Sequence, residues 1–130
     1  MYKKWGTIGD WDVSGVKDFS FAFSKHRNIL GEPTTNGNPK AVSFIGTGIS
    51  KWITTSVTSL KDTFYGSSVM NADLSKWSVA KVTTLKGTFR GASKYIGFGL
   101  DSWDVSKVAD MDNTFTDATS LTSCSKRKIA

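Results

Sequence analysis

Tryptophan recurs at positions 11, 52, 77 and 103, and each is followed 12 residues later by a phenylalanine, at 23, 64, 89 and 115. Aligned on Trp, further columns fall into place. Three residues before it stand Ile8, Ile49, Leu74 and Leu100; five after it, Val16, Val57, Val82 and Val108; eight after it, Phe19, Leu60, Leu85 and Met111. The column 15 after Trp holds His26, Ser67, Ala92 and Ala118, and the column 18 after holds Ile29, Met70, Tyr95 and Leu121. A repeat this regular constrains the fold strongly: no single unit can bury its own apolar face, so successive units must stack and share one core. The Trp intervals are 41, 25 and 26, giving a unit of 25–26 residues and a surplus in the first interval. That surplus falls within 24–44, where Pro33, Pro39 and the Asn36-Gly37 pair supply loop chemistry. Either Ile29 or Phe44 then fills the last column of the first unit.

Two periods alternate inside a unit. Leu100-Asp101-Ser102-Trp103-Asp104-Val105-Ser106-Lys107-Val108 has the β-branched and aromatic content of a short strand followed by a turn. Leu85, Phe89 and Ala92, spaced by four and three, fit one face of a short helix. The expectation is an α/β fold: a short leucine-rich-repeat-like solenoid of about four 25–26-residue strand–helix units with one loop insertion. It forms a single domain over 1–130, with units near 8–23, 49–70, 74–95 and 100–121, an insertion at 24–44 and a basic tail at 122–130. Trp11, Trp52, Trp77, Trp103, Phe23, Phe64, Phe89 and Phe115 are its expected structural core.

The run Trp103-Asp104-Val105-Ser106-Lys107-Val108-Ala109-Asp110-Met111, continued by Thr114-Phe115 and Ala118, resembles the repeat of the BspA-type leucine-rich-repeat surface proteins. Trp11-Asp12-Val13-Ser14-Gly15-Val16 matches the same pattern, Asn71 sits where that repeat places an Asn, and the resemblance covers about residues 8–122. Ile53-Thr54-Thr55 and Ser78-Val79-Ala80 depart from the Asp-Val-Ser turn. The resemblance implies a secreted or surface-anchored protein that takes part in adhesion or host-protein binding, and it brings no catalytic residues with it.

The 130-residue chain carries 17 basic and 11 acidic side chains, for a net charge of +6, and the charge is segregated. Residues 51–94 hold Lys51, Lys61, Lys76, Lys81, Lys86, Arg90 and Lys94 against Asp62 and Asp73. Residues 100–119 hold Asp101, Asp104, Asp110, Asp112 and Asp117 against Lys107. The repeat alignment sets Lys51 over Lys76, Lys61 over Lys86 and Lys81 over Lys107, where like charges repel by up to about 1 kcal/mol in water. Either this is a solvated face or it meets an anionic partner. The partner expected is another protein, through an acidic surface and the solenoid ends; lipid headgroups also fit the charge. Nucleic acid is disfavoured, because the aromatic residues occupy core columns and do not alternate with the lysines.

Little in the sequence points to catalysis. One Cys excludes an intramolecular disulfide and a thiolate zinc site, and one His leaves Ser-His or Cys-His pairing to a single residue. His26 is read as structural or exposed, Cys124 as an incidental thiol, and Gly97 and Gly99 as a bare G-x-G. Asp10 with Asp12 and Asp110 with Asp112 lack the further ligands of a calcium loop. Asp12 and Asp104, each followed two residues later by Ser, are expected to bond the local backbone. No cofactor or metal is expected. No apolar run approaches the roughly 18 residues of a membrane span, and the positive start at Lys3-Lys4 lacks the apolar stretch of a signal peptide. The expected function is therefore a non-enzymatic interaction module. It is either a small structural or accessory subunit within a larger protein assembly or, alternatively, a secreted or cell-surface adhesin-like protein. The insertion is a natural place for partner choice.

Overall fold

A computed structural model describes residues 8–26 and 42–121. The insertion expected at 24–44 and the tail at 122–130 thus lie largely or wholly outside the described residues. The repeat stacks in register, as its columns require. Isolated parallel bridges pair Asp18 with Ser59, Ser59 with Thr84 and Thr84 with Asp110, all seven residues after their Trp.

The units themselves are not strand–helix units, and the α/β solenoid expected from the spacing is corrected here. Among the described residues the named elements are three short 3₁₀ turns, Ile8–Asp10, Ile49–Lys51 and Leu100–Ser102. Among these described residues no strand is present beyond the isolated bridges, and α-helical geometry is confined to Val42 and Ser43. Where a strand was expected before Trp, the backbone curls. Trp11, Trp52, Trp77 and Trp103 each donate their amide to the carbonyl three residues back, at 3.1–3.2 Å.

The segment expected to be helical is a ladder of turns. Leu60, Asp62, Phe64 and Gly66 donate their amides not to their own repeat but to Thr84, Lys86, Thr88 and Arg90 of the next, at 2.8–3.2 Å. The intervening amides of Thr63, Tyr65 and Ser67 close tight turns on Leu60, Asp62 and Phe64. The same alternation joins the first repeat to the second and the third to the fourth. Left-handed residues stand in the way of a helix. Phe21, Asp62, Gly87 and Asn113, ten residues after Trp, have φ of 62°, 53°, 63° and 58°. Gly66, Gly91 and Asp117, four residues further on, have φ of 73°, 72° and 60°. A right-handed helix tolerates none of these values, so the i→i−4 ladder never starts and alternate N–H groups turn toward the neighbouring repeat. Leu85, Thr88, Phe89 and Ala92 are buried while Lys86 and Arg90 face outward. Two in and two out gives the same spacing of four and three as a helix face.

Aromatic rings build the core by stacking from repeat to repeat. Phe23 and Phe64, Phe64 and Phe89, and Phe89 and Phe115 lie nearly parallel, with centroids 5.5, 5.8 and 6.1 Å apart. Phe23, Phe64 and Phe89 also meet the next tryptophan at 5.8–5.9 Å, and Trp52 stacks on Trp77 at 6.4 Å. The indole N–H groups of Trp52, Trp77 and Trp103 donate to the carbonyls of Ile8, Ile49 and Leu74 in the preceding repeat, at 2.8, 2.8 and 3.0 Å. Thr63, Thr88 and Thr114, each just before its Phe, donate inward to the carbonyls of Phe19, Leu60 and Leu85 at 2.8–3.0 Å. Each polar group is thus satisfied at the point where it is buried. Trp11 departs from the expected core: it is 44% exposed, against 5% for Trp52 and 2% for Trp77, because no described repeat precedes it. Phe23 and Phe115 are half-buried.

Phe44 stacks on Phe23 at 4.8 Å and 13°, as Tyr95 stacks on Phe89 at 4.7 Å and 17°. Phe44 therefore stands where Tyr95 stands, each eight residues before the next Trp. Ile29 lies outside the described residues.

Candidate interaction surface

The turn ladder sets four columns side by side on one face. Ten residues after Trp come Phe21, Asp62, Gly87 and Asn113; one before these come Ser20, Lys61, Lys86 and Asp112. Three after them come Ser24, Tyr65, Arg90 and Thr116, and beyond these Lys25, Gly66, Gly91 and Asp117. On this face Tyr65 is the centre of a cluster. The Arg90 guanidinium lies 5.1 Å and the Lys25 ammonium 5.7 Å from its ring centroid, both within cation–π range. The His26 ring meets Tyr65 edge-on at 4.4 Å. The Lys61 ammonium lies 6.0 Å over Phe21, an aromatic residue held at a positive φ of 62° that only small or Asx-type residues adopt readily.

Asp62 sits within this cluster. Burial pushes its carboxyl above the usual carboxylate range, and the charges of Lys61, His26, Lys86 and Arg90 act against that rise. A Cβ at Gly87 would collide with the Asp62 carboxylate, so the bare glycine of one repeat makes room for the acid of the repeat before. In the same way the Lys25 side chain lies across Gly66. Small residues in one repeat seat charged side chains from its neighbour.

Of the seven basic residues expected to form one face, the structure brings together Lys61, Lys86 and Arg90. Lys51 and Lys76 occupy the position before Trp, Lys81 the position four after it and Lys94 the position 17 after it, all of them on other columns and exposed. The site also contains Lys25, His26, Tyr65 and Phe21, which charge counting did not single out. Their signal lay in the columns ten and 14 after Trp, where Gly, Asp and Asn cluster and mark left-handed backbone.

The acidic turns lie apart from the cluster. Asp12 and Asp104 accept from the amides of Ser14 and Ser106 at 3.0 Å, and Asp73 accepts from the amide of Ser75 at 2.9 Å. The hydroxyls of Ser14, Ser75 and Ser106, followed by these amides, hold all three carboxyls below the ordinary carboxylate value. The Asp-x-Ser spacing is therefore turn chemistry. Buried Tyr95 donates its hydroxyl to the Phe98 carbonyl at 3.0 Å, and burial raises its pKa. Apolar side chains also reach solvent on another edge, at Ile45, Ile96 and Phe98. Among the described residues no group of three or more His, Cys, Asp or Glu side chains is placed to hold a metal ion, and no helix is long and apolar enough to cross a membrane.

No curated protein and no solved structure is significantly similar to the chain. A family profile described as "Mycoplasma protein of unknown function, DUF285" matches residues 37–128, which takes in the second, third and fourth repeats and more than half of the sequence. The chain belongs to the DUF285 family.

Proposed function

We propose that the chain is a non-enzymatic protein-interaction module, a small structural or accessory subunit of a larger protein assembly, which meets an acidic protein surface through the cluster around Tyr65. The observation that carries this reading is the way the cations are held. Lys25 and Arg90 flank one ring, Lys61 covers another, and all three are half-buried. Solvated lysines on a neutralising surface gain nothing from such seating. A preorganised cation loses less side-chain freedom on meeting a carboxylate, and arginine adds a bidentate geometry.

A second reading is a secreted or cell-surface adhesin-like protein. It is favoured by the W-D-V-S-x-V turns at Trp11–Val16 and Trp103–Val108, which are the residues that resemble BspA-type surface proteins. The native mass of the protein purified from its source separates the two. A stoichiometric complex supports the subunit, and a free monomer supports the adhesin.

The surface itself is tested with a fluorescent glutamate-rich peptide followed by anisotropy. Binding is expected to be saturable and salt-sensitive, to weaken about tenfold in Arg90→Ala and Lys61→Ala together, and to be unchanged in Lys51→Ala and Lys76→Ala together. Equal losses in both pairs would mean that net charge alone attracts the peptide and would overturn the site. Tighter binding of duplex DNA of matching charge would overturn the choice of a protein partner.

A further inference from the structure

The face that carries the cluster changes sign along the stack. In the second and third repeats its columns hold Lys61, Lys86 and Arg90 against Asp62; in the fourth, the same columns hold Asp112 and Asp117 and no basic residue. These residues share a face because Leu85, Gly87, Phe89 and Gly91 donate their amides to Asp110, Asp112, Thr114 and Thr116 at 2.8–2.9 Å. Lys86 and Asp112 occupy one column, nine after Trp, and Arg90 and Asp117 occupy adjacent columns, 13 and 14 after it. Asp112 and Asp117 are exposed, as is Lys86. A basic third repeat beside an acidic fourth makes the face complementary to itself.

We propose that a second copy of this chain docks on this face. The copies pair face to face with their stacks antiparallel, related by a two-fold axis that lies in the interface, perpendicular to the stack, between the third and the fourth repeats. That symmetry sets Lys86 opposite the second copy's Asp112 and Arg90 opposite its Asp117, and the two-fold repeats both pairs. The parallel arrangement sets basic repeats against basic repeats and is excluded by charge. In contact across the interface, opposite charges fall within the screening length of about 8–10 Å at moderate salt. Exposed ion pairs are individually weak, so the dimer is a low-salt, high-concentration species. The inference rests on the reading of the cluster as a surface for acidic protein, and names that protein as the chain itself.

Sedimentation of the full chain over a concentration series is expected to give a monomer–dimer equilibrium that disappears above about 0.5 M salt. Lys86→Glu with Arg90→Glu is expected to be monomeric, and so is Asp112→Lys with Asp117→Asn. Mixed in equal amounts, the two double variants are expected to associate again, which misfolding of either would prevent. A monomer under all conditions, or a dimer that both double variants keep, overturns the proposal. So do open-ended oligomers, which a closed two-fold does not form. If the chain is monomeric yet still binds the glutamate-rich peptide through Arg90 and Lys61, self-association fails while the wider reading stands. If the peptide binds the Arg90→Ala, Lys61→Ala variant as well as the wild type, the wider reading fails by itself.

Discussion

The second and third repeats and the first carry one motif and use it differently. Trp77 is 2% exposed, stacks on Trp52, meets Phe19 edge-on at 5.9 Å and donates to the Ile49 carbonyl. Trp11 has the same place in its repeat and is 44% exposed. Val57 and Val82 are fully buried, whereas Val16 and Val108 in the outer repeats are half-buried. The motif therefore does not confer a core on its own repeat. It supplies half of two interfaces, and the Trp is buried wherever a described repeat precedes it, as Trp103 of the fourth repeat is at 6% exposure.

This comparison breaks most sharply at tryptophan. Trp77→Ala removes the stacking on Trp52, the tilted contact with Phe64 and the bond to Ile49, and is expected to cost about 3–5 kcal/mol of unfolding free energy. Trp11→Ala is expected to cost less than half as much; chemical denaturation of both variants measures the ratio. Next in size is Gly99→Ala. Gly99 has φ of 93°, and a Cβ there would collide with the Ser75 backbone of the repeat before, so a loss of about 1–3 kcal/mol is expected in the same assay. Thr88→Val keeps the shape but leaves the Leu60 carbonyl without its inter-repeat hydroxyl, for about 1–2 kcal/mol.

The smallest effect has the opposite sign. Asp62 is destabilised in its ionised form by burial, so its folded pKa lies above the unfolded one. The folded state then holds its proton longer, and this group's contribution falls as pH rises through the unfolded value of about 3.9 toward the raised one. Asp62→Asn is expected to match the wild type below about pH 3.9 and to be slightly more stable at neutral pH. Asn also suits the left-handed backbone there, as Asn113 does in the fourth repeat. Denaturation midpoints of the two proteins across that pH range check the sign. A wild type that is the more stable at neutral pH would show that the surrounding cations outweigh burial.

The stacking was legible because it is written in bulky columns: Trp and Phe recur at fixed spacing, and an aromatic column has few places to go but a shared interior. The element type was not. Leu85, Phe89 and Ala92 have helical spacing, yet the same spacing arises when turns of four residues put two side chains in and two out. What distinguishes the two is polar and small: Gly87 and Gly91 between the apolar positions, with Asp62, Asn113 and Asp117 in the same columns. A helix has no use for left-handed formers every four residues. The threonines at 63, 88 and 114 carried a second signal, a hydroxyl at a buried position, which fits a backbone with open carbonyls facing the next repeat. The interaction face was half legible. Charge counting found Lys61, Lys86 and Arg90, but grouping them with Tyr65 and Lys25 required knowing that backbone turns, not a helix, carry them outward.

Everything proposed for the face depends on that ladder, so the direct test is to identify its hydrogen-bond partners. Through-bond NMR couplings across hydrogen bonds report which carbonyl each amide meets. The account predicts couplings from Asp62 to Lys86, from Phe64 to Thr88 and from Gly66 to Arg90. Couplings from these amides to carbonyls four residues earlier in their own repeat would restore the helix and contradict it.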